Sequence, residues 1–182
     1  ENYHLCLIGF DGFSETVGWQ LEQIKYLSKK NNSQNAFIPF EDGNSLLNHI
    51  RNFYSLFEGY LILKICTAIP EFMKVWNKIR NLSLENNLQE IFLSHFGNGI
   101  IYVMYPLADI NNDNKVIRII NGIEDIVVDS GGSFMIEDIP LKFKEKVSVW
   151  GRTNKNFKIM KRIKEKFDPK NILNQGRFVG GI

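Results

Sequence analysis

IFLSHFGNGIIYVMYPL, residues 91–107, decides the fold. Two runs rich in β-branched and aromatic residues flank Gly97-Asn98-Gly99, a turn that lets the chain reverse on itself. The reading is an antiparallel hairpin. Upstream, YLILKICTAI (60–69) reads as a strand and PEFMKVWNKIRNLSLEN (70–86) as a helix opened by Pro70 in its first turn. Downstream, residues 112–132 place Val116, Ile119, Ile120, Ile123 and Val127 on one helical face and stop at Gly131-Gly132. SFMIEDI (133–139) reads as the next strand.

Further out, YHLCLIGF (3–10) and NAFIPF (35–40) are short apolar runs that predict two more strands, the second with Pro39 at an edge or bulge. Residues 13–31 predict a helix with Ser14 as N-cap and lysines at its end, and residues 44–57 a second helix. A basic helix, TNKNFKIMKRIKEKF (153–167), and a tail complete the chain. The order of elements predicts an α+β fold: a ferredoxin-like antiparallel sheet with helices packed mainly on one face, plus a C-terminal helix and an ordered tail.

The 182 residues suffice for one domain with a sizeable core. A net charge of +2 gives no electrostatic footprint for nucleic acid, and no aromatic RNA-binding motif is present. No apolar run reaches the roughly 18 residues that a membrane span needs. Cys6 and Cys66 sit in apolar runs and read as reduced core thiols, His4 and His49 as structural histidines. No His or Cys pair has zinc-ligand spacing, and no glycine-rich phosphate loop or serine nucleophile elbow occurs. The acid pairs Glu124-Asp125 and Glu137-Asp138 read as solvated edges, Trp150 as a packing anchor, and the basic helix as a solvated face. The chain opens at Glu1 with neither an initiator Met nor a signal sequence, so a segment of a longer protein is expected.

WGRTNKNFKIMKRIKEKFDPKNILNQGRFVGGI, residues 150–182, carries a resemblance. It resembles the C-terminal end of the FAD-binding subunits of glycolate oxidase, and the wider FAD-linked oxidases of the vanillyl-alcohol-oxidase type. There a Trp-Gly precedes a basic helix, an Asp-Pro stop and an Asn-Pro-Gly-Arg turn. The resemblance implies a cap domain on the substrate side of a flavin. FAD would be held mostly by an N-terminal domain outside these residues, and not retained by this segment alone. Residues 1–146 would form the substrate-side part, and 147–182 the C-terminal helix and flavin-directed tail of the same domain. Asn174, Gly176 and Arg177 would be the cofactor-binding residues, with Gln175 in place of the usual proline. His95 would be the catalytic candidate, with Asn98 and Gly99 on the substrate side. Catalytic relatives carry a hairpin of the form HvGDGNlH. Here Asn98, Ile100 and Tyr102 stand where Asp, Asn and the second His would be.

The implied partners are the N-terminal FAD-binding domain, other glycolate oxidase subunits and a 2-hydroxy acid. The implied location is the cytoplasm, at the inner membrane through those subunits. The other reading of the residues is a non-catalytic small-molecule-binding or subunit-assembly module on the same fold.

Overall fold

The computed structural model describes residues 4–110, 112–153 and 156–182; of Phe40 and Asp109 it describes the backbone alone. The chain divides into two compact units, Glu1–Asn52 and Phe53–Ile182.

The first unit holds two helices, α1 (Ser14–Lys30) and α2 (Phe40–Arg51). The predicted strands at 3–10 and 35–40 do not form. Residues 4–10 and 35–39 are irregular, and Tyr3 lies outside the described residues. Composition suits a strand there, but a strand also needs a neighbour for its N–H and C=O groups, and this unit contains none among its described residues. Cys6 and His4 are accordingly exposed rather than in a core. His49 is also exposed, its Nδ1 2.8 Å from the Ser45 carbonyl one turn back. Phe13, not Ser14, is the N-cap of α1, and no side chain caps that end. The helix predicted over 44–57 starts earlier, behind Pro39, and ends at Arg51.

The second unit carries the predicted sheet. Strands β1 (Tyr60–Cys66), β2 (Ile91–His95), β3 (Ile100–Pro106) and β4 (Ser133–Asp138) lie in the order β2-β3-β1-β4, and every neighbouring pair is antiparallel. Helix α3 (Phe72–Glu85) links β1 to β2, and α4 (Asp113–Asp129) links β3 to β4. This is the ferredoxin-like βαββαβ arrangement. Strand alternation sends Leu61, Leu63 and Ile65 of β1, with Ile101, Val103 and Tyr105 of β3, to one face. They meet Val75 and Ile79 of α3 and the predicted stripe of α4 in the main core. A polar joint within it is internal: the Tyr105 hydroxyl and Ser83 Oγ lie 2.7 Å apart, both residues fully buried. Burial pushes the Tyr105 phenol far above its usual pKa, so it stays a neutral hydrogen-bonding group.

The second sheet face is covered only in part. A 3-10 segment, Phe53–Leu56, lays Phe53 over Ile62, Met104 and Tyr102, and Phe57 packs beside it. The two sheet edges differ. Along β4, Ile136 donates to the Val149 carbonyl (2.7 Å), so the loop after β4 covers that edge. A short helix, α5 (Leu141–Lys144), lies in this loop, and α6 (Phe157–Phe167) follows it. Asn154 and Lys155, in the start of the predicted basic helix, lie outside the described residues.

Candidate functional site

The register places the chemistry-bearing residues of the sheet on its partly covered face. Lys64 stands directly opposite Tyr102, and Leu93 opposite Tyr102 on the other side; His95 pairs with Ile100, which pairs with Cys66. The alternation that buries Leu63 and Ile65 turns Lys64 and Cys66 the other way, and likewise Tyr102 and His95. The His95 ring lies 6.2 Å from that of Tyr102, edge to face. Lys64 Nζ sits 5.6 Å from the centre of the Tyr102 ring and 3.5 Å from Glu137 Oε1. Tyr54 closes the group from the 3-10 segment, with its ring 6.1 Å from that of Tyr102.

Electrostatics follow from this packing. Burial works against the Lys64 charge, but the Tyr102 hydroxyl and the Glu137 carboxylate outweigh it and leave the ammonium pKa raised. Burial first, then the Tyr102 hydroxyl and Glu137, push the Tyr54 phenol well above its ordinary value. Tyr54 is therefore a neutral hydroxyl near pH 7 and no base. Among the described residues the face carries the Lys64 cation, the Glu137 carboxylate beside it with Asp138 opposite Ile62, the phenols of Tyr54, Tyr60 and Tyr102, and the exposed imidazole of His95. Tyr102 itself is only 8% exposed.

The hairpin tip is a structural turn with an exposed rim. Gly99 has φ 72°, and a Cβ there would stand 2.0 Å from the Thr67 carbonyl oxygen. Its own carbonyl accepts from Thr67 N–H at 2.9 Å. Phe96 packs edge to face on Phe72, while Asn98 and His95 remain exposed.

The tail is tied down by its own residues. Asp168 accepts from the backbone of Ile172 (2.8 Å) and Leu173 (2.9 Å) and pairs with Lys164, which donates to the Leu173 carbonyl (2.5 Å). Lys164 first, and the Ile172 N–H next, hold the Asp168 carboxyl down to about 2. Asn174 and Gly176 both take positive φ, and Arg177 N–H closes the turn on the Asn174 carbonyl (3.0 Å). The Trp150 indole donates to the Arg177 carbonyl at 3.0 Å and its ring faces Phe178. The Arg177 side chain is exposed.

Trp150 is 38% exposed and is a platform for the tail, not a core anchor. The segment after it is pinned by an acid pair read as solvated. Buried Glu124 accepts from Arg152 N–H at 2.5 Å, and Asp125 meets the Arg152 guanidinium at 2.6 Å. Glu137 and Asp138 are exposed, as a solvated edge would be, with the Glu137 carboxylate 3.5 Å from Lys64 Nζ.

The predicted site residues thus form two groups. His95, Asn98 and Gly99 sit at the β2 edge; Asn174, Gly176 and Arg177 sit against Trp150, beyond the β4 edge. Three strand spacings, about 14 Å, separate those edges. Between them lie Lys64 and Tyr54, which the sequence reading passed over. Lys64 carried a signal: it is the one charge in an apolar strand, at a position of the alternation opposite to the core. Among the described residues no group of three or more His, Cys, Asp or Glu converges as a metal site. No helix among them is long and apolar enough to cross a membrane.

Fold and site together define a ferredoxin-like α+β domain that keeps a polar cluster on a partly open sheet face. Residues 1–178 match the family described as FAD linked oxidases, C-terminal domain, and the chain belongs to that family. A search of curated proteins finds no match to it. The family implies FAD in the full-length protein, held with an FAD-binding domain N-terminal to this one. The open face fits the ring side of such a cofactor, with an apolar floor and a few directed polar groups. It does not fit the diphosphate, for which the sequence provides no glycine-rich cradle.

Proposed function

We propose that this domain caps the flavin of an FAD-dependent 2-hydroxy-acid oxidase or dehydrogenase of the glycolate type, with the open sheet face on the substrate side. The observation that carries this reading is the Lys64–Tyr102–His95 group on that face, in a chain of this family. Lys64 supplies a cation for a carboxylate, and Tyr102 and Tyr54 supply hydroxyls. In this reading His95 accepts the proton of a substrate hydroxyl, and Asn98 and Gly99 border it on the hairpin rim. FAD, when bound, supplies the acceptor for the hydride. On the far edge, the preformed turn of Asn174 and Gly176 and the exposed Arg177 guanidinium support a cofactor-side role for these residues.

The test is flavin reduction by glycolate in the full-length, flavin-loaded protein. Lys64→Met is expected to raise KM with a smaller effect on kcat, and His95→Asn to lower kcat by about 10²-fold or more. Arg177→Ala is expected to lower flavin content. Unchanged kinetics in both sheet-face variants would overturn the catalytic reading and leave a binding or assembly module. Unchanged flavin content would remove Arg177 from the cofactor site.

A further inference from the structure

Lys64 is not a free cation. Glu137 on the neighbouring strand β4 holds its carboxylate 3.5 Å from Nζ, and both side chains are 27% exposed. Around them Ile62 and Met104 form an apolar layer, the Tyr102 ring lies beside Lys64, the Tyr54 phenol is held neutral, and Met135 stands next to Lys64 across the β1–β4 pair. Among the described residues, the other ionisable side chains that the strands carry on this face are His95 on β2, Tyr60 and Cys66 on β1, and the exposed Asp138 on β4, opposite Ile62. The Lys64–Glu137 pair is therefore close to charge-neutral by itself before any ligand arrives, and the exposed Asp138 carboxylate beyond it adds to the negative side. A partly desolvated ion pair on a low-dielectric floor is screened less than one in open water, so its charge balance reaches a bound ligand.

We propose that Glu137 is a specificity-determining residue, the built-in counter-ion of Lys64, which lets the face take a single small carboxylate and disfavours a second one. The proposal rests on the reading of the open face as the substrate side. A ligand carboxylate that reaches Lys64 Nζ has to compete with Glu137 for it. One carboxylate shares the ammonium with Glu137. A second carboxylate on the same ligand adds a further negative charge beside Glu137 with no cation to match it. The face consequently favours a 2-hydroxy monocarboxylate over a dicarboxylate of similar size.

The experiment measures flavin absorbance perturbation in the full-length, flavin-loaded protein, with acetate and malonate as non-oxidised probes. Glu137→Gln keeps the shape of the side chain and removes the charge. It is expected to tighten malonate binding about tenfold and acetate about threefold, the size of a partly screened charge contact. On a Lys64→Met background no ammonium is left to compete for, and the same change is expected to act only by relieving the direct repulsion of the probe by Glu137, a smaller effect than on the Lys64 background for both probes. An ordinary cross-strand pair would alter stability and leave both dissociation constants in place. If Lys64→Met weakens acetate binding while Glu137→Gln changes neither probe, or weakens both, the counter-ion role is wrong and the substrate-side reading stands. If Lys64→Met leaves acetate binding unchanged, both fall.

Discussion

Single residues fix the two ends of the site by backbone geometry. At Gly99 the left-handed φ and the Thr67 carbonyl 2.0 Å from any Cβ act together. Gly99→Ala is expected to destabilise the protein by about 2 kcal/mol or more, read as a lower denaturant midpoint. An unmoved midpoint would show that the hairpin relaxes without cost. At Asp168 the effect is electrostatic. Its folded carboxyl titrates at about 2 against an ordinary 3.8, so its contribution to stability is complete above the ordinary value and is lost as pH falls through about 2. NMR titration should find the Asp168 carboxyl midpoint well below 3.8, with the Ile172 and Leu173 amide signals moving in the same window. A midpoint near 3.8 would show that the tail caps do not hold in solution. The glycine was legible in the sequence because Gly-Asn-Gly has a known turn chemistry. The Lys64–Glu137 contact was not, because it joins strands more than seventy positions apart and depends on the register of β1 against β4.

Among the elements, what the sequence showed and what it hid divide along local against non-local interactions. The stripes of α3 and α4 declared themselves by their spacing, because a helix closes its hydrogen bonds within itself. Residues 3–10 and 35–40 have the composition of strands, yet pairing decides a strand, and composition says nothing about a missing partner. The tail gave its stop and turn residues in advance, but not its resting place. That place is the indole of Trp150, half-exposed and bonded to the Arg177 carbonyl. Trp150→Phe keeps an aromatic ring near Phe178 and removes only the donor. The expected loss is about 0.5–1 kcal/mol in a partly solvated bond. The clearer signal is local: hydrogen exchange at the Arg177 amide, which closes the tail turn, should accelerate while exchange in β1 and β3 stays the same. Equal exchange at Arg177 in both proteins would show that the turn stands without the tryptophan.

At the scale of the molecule, the division between Asn52 and Phe53 is itself a statement about which residues the sheet requires. No residue of α1 is buried, and the βαββαβ unit encloses its main core with its own helices. Its second face, however, is covered in part by Phe53, Tyr54 and Phe57, which precede β1. Phe53 meets the rings of Tyr54, Phe57 and Tyr102, and with Ile62 and Met104 forms the smaller core. Two truncations separate these contributions. A chain of residues 53–182 is expected to fold with one cooperative denaturant transition and an intact sheet. A chain of residues 60–182 loses the cover of Ile62, Met104 and Tyr102. It should be less stable than the longer one by about 3–5 kcal/mol, the scale of removing one large buried aromatic side chain, and should expose Tyr102 to solvent. Denaturation followed by circular dichroism and by tyrosine fluorescence measures both quantities. Failure of 53–182 to unfold cooperatively would mean that the first unit is needed for the sheet to form. Equal stability of the two chains would mean that the aromatic segment is an ornament on the second face, and that the face proposed for substrate is open along its whole length.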